Sequence, residues 1–328
     1  MKYDYLLLDG LNVMHRAGFS YELGYWEGSD YHETGAVYGF FRIAMTFYNK
    51  YAAPGAKLII CWDAGYKHRL ELYPNYKISR RVPVSPDDTE KVEARDQHRG
   101  QKQALQAALK AAGWCSAVAP GYEADDVLAT LATRFSAAGK TVALCTTDQD
   151  LHQVVSDKVH VISKGFKGEK TWTPKEVEKK WGFLPHRVAE LKALQGDSGD
   201  DIPGCPGCGG TWAKKLLMSY GDIEAILNAA AQGPLTGEWE GKAWKAKALA
   251  SKMAANADLV RVSHDLAKVV CDVGIEIQQA DPRPADLREQ FSRMTFYTLM
   301  EPKNLDRILE IGGGVQPPAP KDVLGLFS

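Results

Sequence analysis

No stretch of the 328-residue sequence approaches the roughly 18 consecutive apolar residues of a membrane-crossing helix. The N-terminus, MKYDYLLLDG, has too short an apolar run for a secretory signal. Cysteine is sparse: Cys61, Cys115, Cys145, Cys205, Cys208 and Cys271 are scattered, without the density of a disulfide-stapled secreted domain. These absences point to a soluble protein of a reducing, cytoplasmic compartment, with no membrane partner. An excess of either charge is also missing, since 40 basic residues face 41 acidic ones. The balance alone does not advertise a nucleic-acid partner. No long repeat is present, so a solenoid is not expected.

What the chain does have is enough length for a catalytic domain with a smaller companion, and a 45% hydrophobic content to build a core. Three apolar runs end in acid: YLLLDG in Asp9, KLIICWDAG in Asp63, and TVALCTTDQD in Asp148 and Asp150. Near-continuous apolar runs of this kind predict buried strands of a parallel sheet, whose carboxyl ends meet in space. Helical spacing is predicted over 34–51 and 123–138. The stretch 80–102 is too charged for a core element and is expected to project as an arch, a lid or a loop. After about residue 183 the alternation gives way to helices joined by glycine-rich turns, notably IPGCPGCGGTWAKKLL. GGG at 312–314 and PPAP at 317–320 are expected to form a linker before the tip VLGLF.

EADD opens the second of those helices and would project Glu123, Asp125 and Asp126 from its first turn. Alone, it reads equally well as a solvated helix start. Its weight comes from Asp9, Asp63, Asp148 and Asp150, and from Asp197 and Asp200 of GDSGDD. Nine converging carboxylates would need cations to stay ionised. All-oxygen ligation fits Mg²⁺ or Mn²⁺ better than zinc, and a pair of ions suits phosphodiester chemistry. With those nine set aside, the rest of the chain carries an excess of eight positive charges, which suits a polyanion.

DGLNVMHR, WDAGYKHRLELYPNYKISR, EADD, TTDQDL and GDSGDDIPGCPGCG occur in the order and spacing of the flap endonuclease, or 5′-3′ exonuclease, family. Over roughly residues 3–270 the chain resembles free-standing bacteriophage 5′ nucleases and the 5′ nuclease domain of bacterial DNA polymerase I. The resemblance implies an α/β fold: a PIN-like, mostly parallel sheet with flanking helices and a helical arch, plus a helix-hairpin-helix (helix-three-turn-helix) domain. The expected division is a nuclease domain at 1–183 with its arch at about 81–112, a DNA-binding domain at 184–290, and a C-terminal segment at 291–328.

By the same resemblance, Asp9, Asp63, Glu123 and Asp125 serve one metal ion, with Asp126 near it through water, and Asp148, Asp150, Asp197 and Asp200 serve a second. Lys77 and Arg80 meet the scissile phosphate, and Tyr76 stacks on a base. Gly204, Gly207 and Gly209 let backbone amides approach DNA, followed by Thr211, Lys214 and Lys215, with a K⁺ site at the hairpin. The implied activity is structure-specific 5′ cleavage of flapped, nicked or branched DNA, and of RNA-DNA hybrids, in replication or repair by a monomer. A PIN-type ribonuclease and a non-catalytic junction binder are the alternatives. Cys205 and Cys208 depart from the family pattern and are expected to pack as small hydrophobes, a zinc or redox site being the other reading. Asp201 stands where Asn is usual, and a basic residue is missing before Thr211. Val323, Leu324, Leu326 and Phe327 resemble clamp-docking peptides, or pack on their own domain. Tyr21, Tyr25, Trp26 and Tyr31 are expected to pack against the domain rather than to form a site.

Overall fold

The computed structural model describes residues 1–313, apart from residues 28, 29, 84, 86, 87, 166 and 167. The chain opens with β1 (Tyr3–Asp9), α1 (Gly10–Gly18), the antiparallel pair β2 (Gly24–Glu27) and β3 (Asp30–Glu33), α2 (Gly35–Tyr51) and β4 (Ala52–Cys61). It continues through α3 (Lys67–Leu72), a 3-10 turn at Ile78–Arg81, α4 (Thr89–Ala111), β5 (Cys115–Val118), α5 (Ala124–Ala137) and β6 (Val142–Cys145). A second 3-10 turn at Asp150–Val154 leads to β7 (Val159–Gly165), β8 (Gly168–Trp172) and α6 (Pro174–Trp181). Next come α7 (Val188–Gln195), α8 (Gly210–Tyr220), α9 (Ile223–Gln232), the hairpin of β9 (Leu235–Trp239) and β10 (Lys242–Ala246), α10 (Lys247–Ala255) and α11 (Ala257–Ala267). The described chain closes with β11 (Glu276–Gln278), α12 (Pro284–Arg293), α13 (Tyr297–Met300) and α14 (Pro302–Gly313).

Seven strands form one sheet in the order β11-β5-β4-β1-β6-β7-β8, parallel from β5 to β7 and antiparallel at both edges. This is the mostly parallel sheet that the apolar runs predicted. Side chains alternate across it with period two. Leu7, Ile59, Cys61, Val142 and Leu144 enter one core, and Leu6, Leu8, Leu58, Ile60, Ala143 and Cys145 enter the other. Helices cover both faces, as apolar strands require. From β1 the chain crosses to β4 on one side and later returns to β6 on the other, which opens a crevice at the strands' carboxyl ends.

The predicted helices over 34–51 and 123–138 are α2 and α5. The polar stretch behaves differently along its length. The first half of α4 is largely exposed, but Leu105, Ala108, Leu109 and Ala111, at helical spacing, are buried in the second core. The projecting part therefore ends near residue 100, earlier than the expected 112. The expected glycine linker also begins inside regular structure. Gly312 belongs to α14, and a Cβ there would lie 1.9 Å from the Ala112 carbonyl oxygen. The rest of that linker and Val323–Phe327 lie outside the described residues.

The β9–β10 hairpin was not anticipated, although its signal is present. Leu235, Gly237 and Trp239 alternate before Glu240-Gly241, and both turn residues have positive φ, as a type I′ turn requires. Residues after β11 return to the sheet. Phe291 of α12 meets Phe41 of α2 edge-on at 5.2 Å, Phe41 meets Trp114 at 5.1 Å, and the Trp114 indole N–H donates to the Ile308 carbonyl at 2.8 Å. Phe291→Ala is expected to cost about 3–5 kcal/mol in urea unfolding, the range for a truncated core aromatic. A loss below about 1 kcal/mol would mean that this contact does not support the core.

Candidate metal centre

Each strand end fixes its acid by a local bond. Asp9 closes β1 and caps α1: one oxygen accepts from the Asn12 amide at 3.0 Å, the other from the Thr146 hydroxyl at 2.9 Å. Thr146 follows β6, so two neighbouring strands are tied at the crevice. Asn12 and Thr147 add a side-chain bond of 2.8 Å across it. Asp63, just beyond β4, accepts from the Ala124 amide at 3.2 Å, which holds the start of α5 and brings Asp125 in. Asp148 accepts from the Asp150 amide at 2.9 Å, so these two are set by one turn.

The acids feel one another. Burial first, with Asp63 and Asp148 adding, pushes Asp9 up to about 7. Burial and then Asp148, Asp9, Asp150 and Asp63 raise Asp125 well above the carboxylate range. Asp150 is pushed up to about 6 by burial, against the pull of Lys192. Asp150, Asp197 and Asp200 each bring an oxygen within 4.8 Å of the others, the one His/Cys/Asp/Glu group with metal-ligand spacing among the described residues. They line a cleft of about 470 Å³ with Asn12, Arg80, Asp148 and Lys192.

Asp197 and Asp200 are placed by two glycines. Gly196 and Gly204 both have positive φ, and a Cβ on Gly204 would lie 2.3 Å from the Gly196 nitrogen. Asp197 and Ile202 pair between them through mutual amide-carbonyl bonds of 2.9 Å. Burial opposes the Asp197 charge, but the Lys192 ammonium, 2.6 Å away, and the Gly199 amide, 2.8 Å away, hold its pKa down. Lys192 also contacts Asp150.

Lys77 has φ of 50°, a left-handed backbone that is unfavourable for a residue with a Cβ. Its amide donates to the Asp200 carbonyl at 3.0 Å, while its ammonium contacts Glu123 and lies 3.4 Å from Asp200. Arg80 reaches Asp200 at 3.0 Å. Asp201, the departure from the family pattern, accepts from both the amide and hydroxyl of Ser79, at 2.9 and 2.7 Å. The added carboxylate thus clasps the turn that carries Lys77 and Arg80.

Three expected roles do not match their placement. Asp126 is fully buried, with both oxygens on Arg69 at 2.7 and 2.8 Å and the Val270 amide at 2.9 Å, so its carboxylate is committed to protein partners. Tyr76 is 2% exposed and donates to Glu123 at 2.8 Å, which leaves no face for a base. The Gly204 amide is buried and donates to the Ser263 hydroxyl at 3.1 Å instead of facing DNA. Gly207 and Gly209 are exposed, and Thr211, Lys214 and Lys215 lie in the first turns of α8. Cys205 and Cys208 are free and buried in the first core. Glu123 gives one oxygen to Arg69 and Tyr76 and the other to Lys77.

Lys192 and Arg69 escaped the sequence reading. Neither differs in type from the chain's other cations, and only the fold shows that each stands between two carboxylates.

A family model described as the 5′-3′ exonuclease N-terminal resolvase-like domain matches residues 4–182, and the C-terminal SAM fold of the same family matches residues 183–290. A 5′-3′ exonuclease of Aquifex aeolicus is 31% identical over 308 residues, covering 92% of this chain and 95% of that one. Thermostable DNA polymerase I of Thermus aquaticus is 33% identical over 273 residues, 81% of this chain but only 29% of the polymerase. Among solved structures, the bacteriophage T5 5′-exonuclease with bound zinc matches with a TM-score of 0.64 at 18% identity, covering 99% of both chains. The T5 flap endonuclease in a pseudo-enzyme-product complex with DNA and metal ions gives 0.60 at 18% identity, over 94% of this chain and 98% of that one. Sheet, helical region and matched domains agree, and the chain belongs to the 5′-3′ exonuclease family.

Proposed function

We propose that the chain is a structure-specific 5′ nuclease, acting as 5′-3′ exonuclease and flap endonuclease to leave 5′-phosphate and 3′-hydroxyl ends. One observation carries this reading: acids from separate segments share a single crevice, where burial and then their mutual repulsion raise Asp9 and Asp125, with Lys77 and Arg80 at its edge. A junction binder would have no need of such repulsion.

The donor set fits hard divalent cations, because every donor is a carboxylate and the acids gather from separate segments in one crevice. Asp9, Asp63, Glu123 and Asp125 would hold one ion, and Asp148, Asp150, Asp197 and Asp200 a second. Mg²⁺, or Mn²⁺ in its place, supplies water activation and charge neutralisation when bound. Lys77 and Arg80 turn from Glu123 and Asp200 to the scissile phosphate and offset the charge that develops there. The exposed half of α4 directs the single strand. Gly207, Gly209, Thr211, Lys214 and Lys215 grip the duplex, with K⁺ at the hairpin.

The substrates on this reading are flapped, nicked or branched DNA and RNA-DNA hybrids, met during Okazaki-fragment processing or repair. The protein works as a cytoplasmic monomer, and Val323–Phe327 dock on a sliding clamp. Among the described residues no helix is long and apolar enough to cross a membrane.

Single-turnover cleavage of a 5′-flap substrate in Mg²⁺ tests the assignment. Asp148→Ala should lose on the order of 10³-fold, and Lys77→Ala about 10²–10³-fold, as for a removed transition-state stabiliser. Rates like the wild type in both would sink it.

A second test uses stability. Asp9 ionises less readily folded than unfolded, so its contribution is full below about pH 4 and is lost as pH rises through about 7. Bound divalent cations should therefore raise Tm by several degrees near pH 7.5, and by less near pH 5.5, in calorimetry. Equal shifts at both pH values would separate the ion from these carboxylates.

A further inference from the structure

Beside the acidic cleft, three lysines gather over two indoles. The Lys170 ammonium lies 3.7 Å from the Trp172 ring centroid, Lys180 lies 5.0 Å from Trp172 and 4.2 Å from Trp181, and Lys214 lies 5.7 Å from Trp181. The rings are anchored. Trp172 donates its indole N–H to the Ser163 hydroxyl at 2.9 Å, and Trp181 donates to Nδ1 of His152 at 3.1 Å.

Little nearby balances the cations. Glu176, 3.1 Å from Lys170, is the one carboxylate within ion-pair distance of the three among the described residues, and Lys180 bonds the neutral side chain of Gln149. Cation-π contacts at exposed sites contribute about 0.5–1 kcal/mol each. Burial, and then Lys170 and Lys214, pull Lys180 down to about 8. An anion among the ammonium groups would offset the repulsion between them.

Position narrows the anion. Trp181 also lines the cleft with Asp148, Asp150, Lys192 and Asp197, so the cluster sits at its rim. Lys170 and Lys180 come from β8 and α6, whereas Lys214 comes from α8 beyond the glycine hairpin. A ligand touching all three bridges the sheet and the helical region. Lysines already cover the indole faces, which disfavours a stacked base and favours a phosphate.

We propose that Lys170, Lys180 and Lys214, seated on Trp172 and Trp181, bind one backbone phosphate of DNA at the cleft rim. This inference rests on the nuclease reading.

The test measures binding of a fluorescent 5′-flap duplex by anisotropy across a salt series, in an Asp148→Ala background, with wild-type cleavage assayed alongside. Lys170→Gln with Lys180→Gln should weaken binding about tenfold near 0.15 M salt and reduce the slope of log K against log salt by roughly one, the signature of a lost phosphate contact. Lys180→Arg, retaining charge, should bind with the affinity and salt slope of the unsubstituted protein. Unchanged affinity and slope in the double variant would overturn the site. So would an equal loss in Lys180→Arg, which would make Lys180 a structural partner of Gln149. If the wild type cleaves while the double variant binds normally, only the phosphate site fails. If the wild type does not cleave, the nuclease reading fails and the salt slope still decides the phosphate site.

Discussion

Carboxylates do not share a half-buried crevice cheaply. Burial beneath the strand ends raises the pKa values of Asp9, Asp125 and Asp150, and each ionised Asp nearby makes its neighbour harder still to ionise. The bonds to Asn12, Thr146 and Ala124 hold the acids where the repulsion is felt, so the fold maintains an unfavourable arrangement here. Core packing elsewhere supports it: strands buried on both faces leave the crevice at the switch point between β4, β1 and β6 little room to relax.

The protein's own cations respond in two ways. Arg69 is committed. Buried, and bonded through both Nη atoms to Asp126, it removes that acid from the repelling set and anchors α3 to α5. Removing one member of such a pair would leave an uncompensated buried charge. Lys77 and Lys192 are half-buried at the cleft, each between acids from different segments. They place positive charge among the acids of the crevice. The left-handed backbone at Lys77, held by the Asp200 carbonyl, is consistent with strain kept for position.

Much of this was legible in the sequence because it depends on local pattern. Apolar runs ending in acid gave the parallel sheet and its carboxyl-end crevice, and the spacing of Val127, Leu128, Leu131 and Phe135 gave α5. What escaped depends on contacts distant in sequence. Lys192 matters because α7 brings it to Asp150, and Asp126 is withdrawn because α3 delivers Arg69 across 57 residues. The overlong arch arose from averaging a charged half of α4 with a half whose Leu105 and Leu109 reach the core. Gly312 resembled linker because glycine's use as a close-packing surface leaves no pattern in sequence.

The two glycines behind Asp197 have a mechanical consequence. With Gly204 pressed against Gly196 and Asp197 paired to Ile202, the acid loop and the glycine hairpin are welded at their shared base. Because the two backbones are already in contact, a shift of Gly204 is expected to carry Gly196 and the adjoining Asp197 with it.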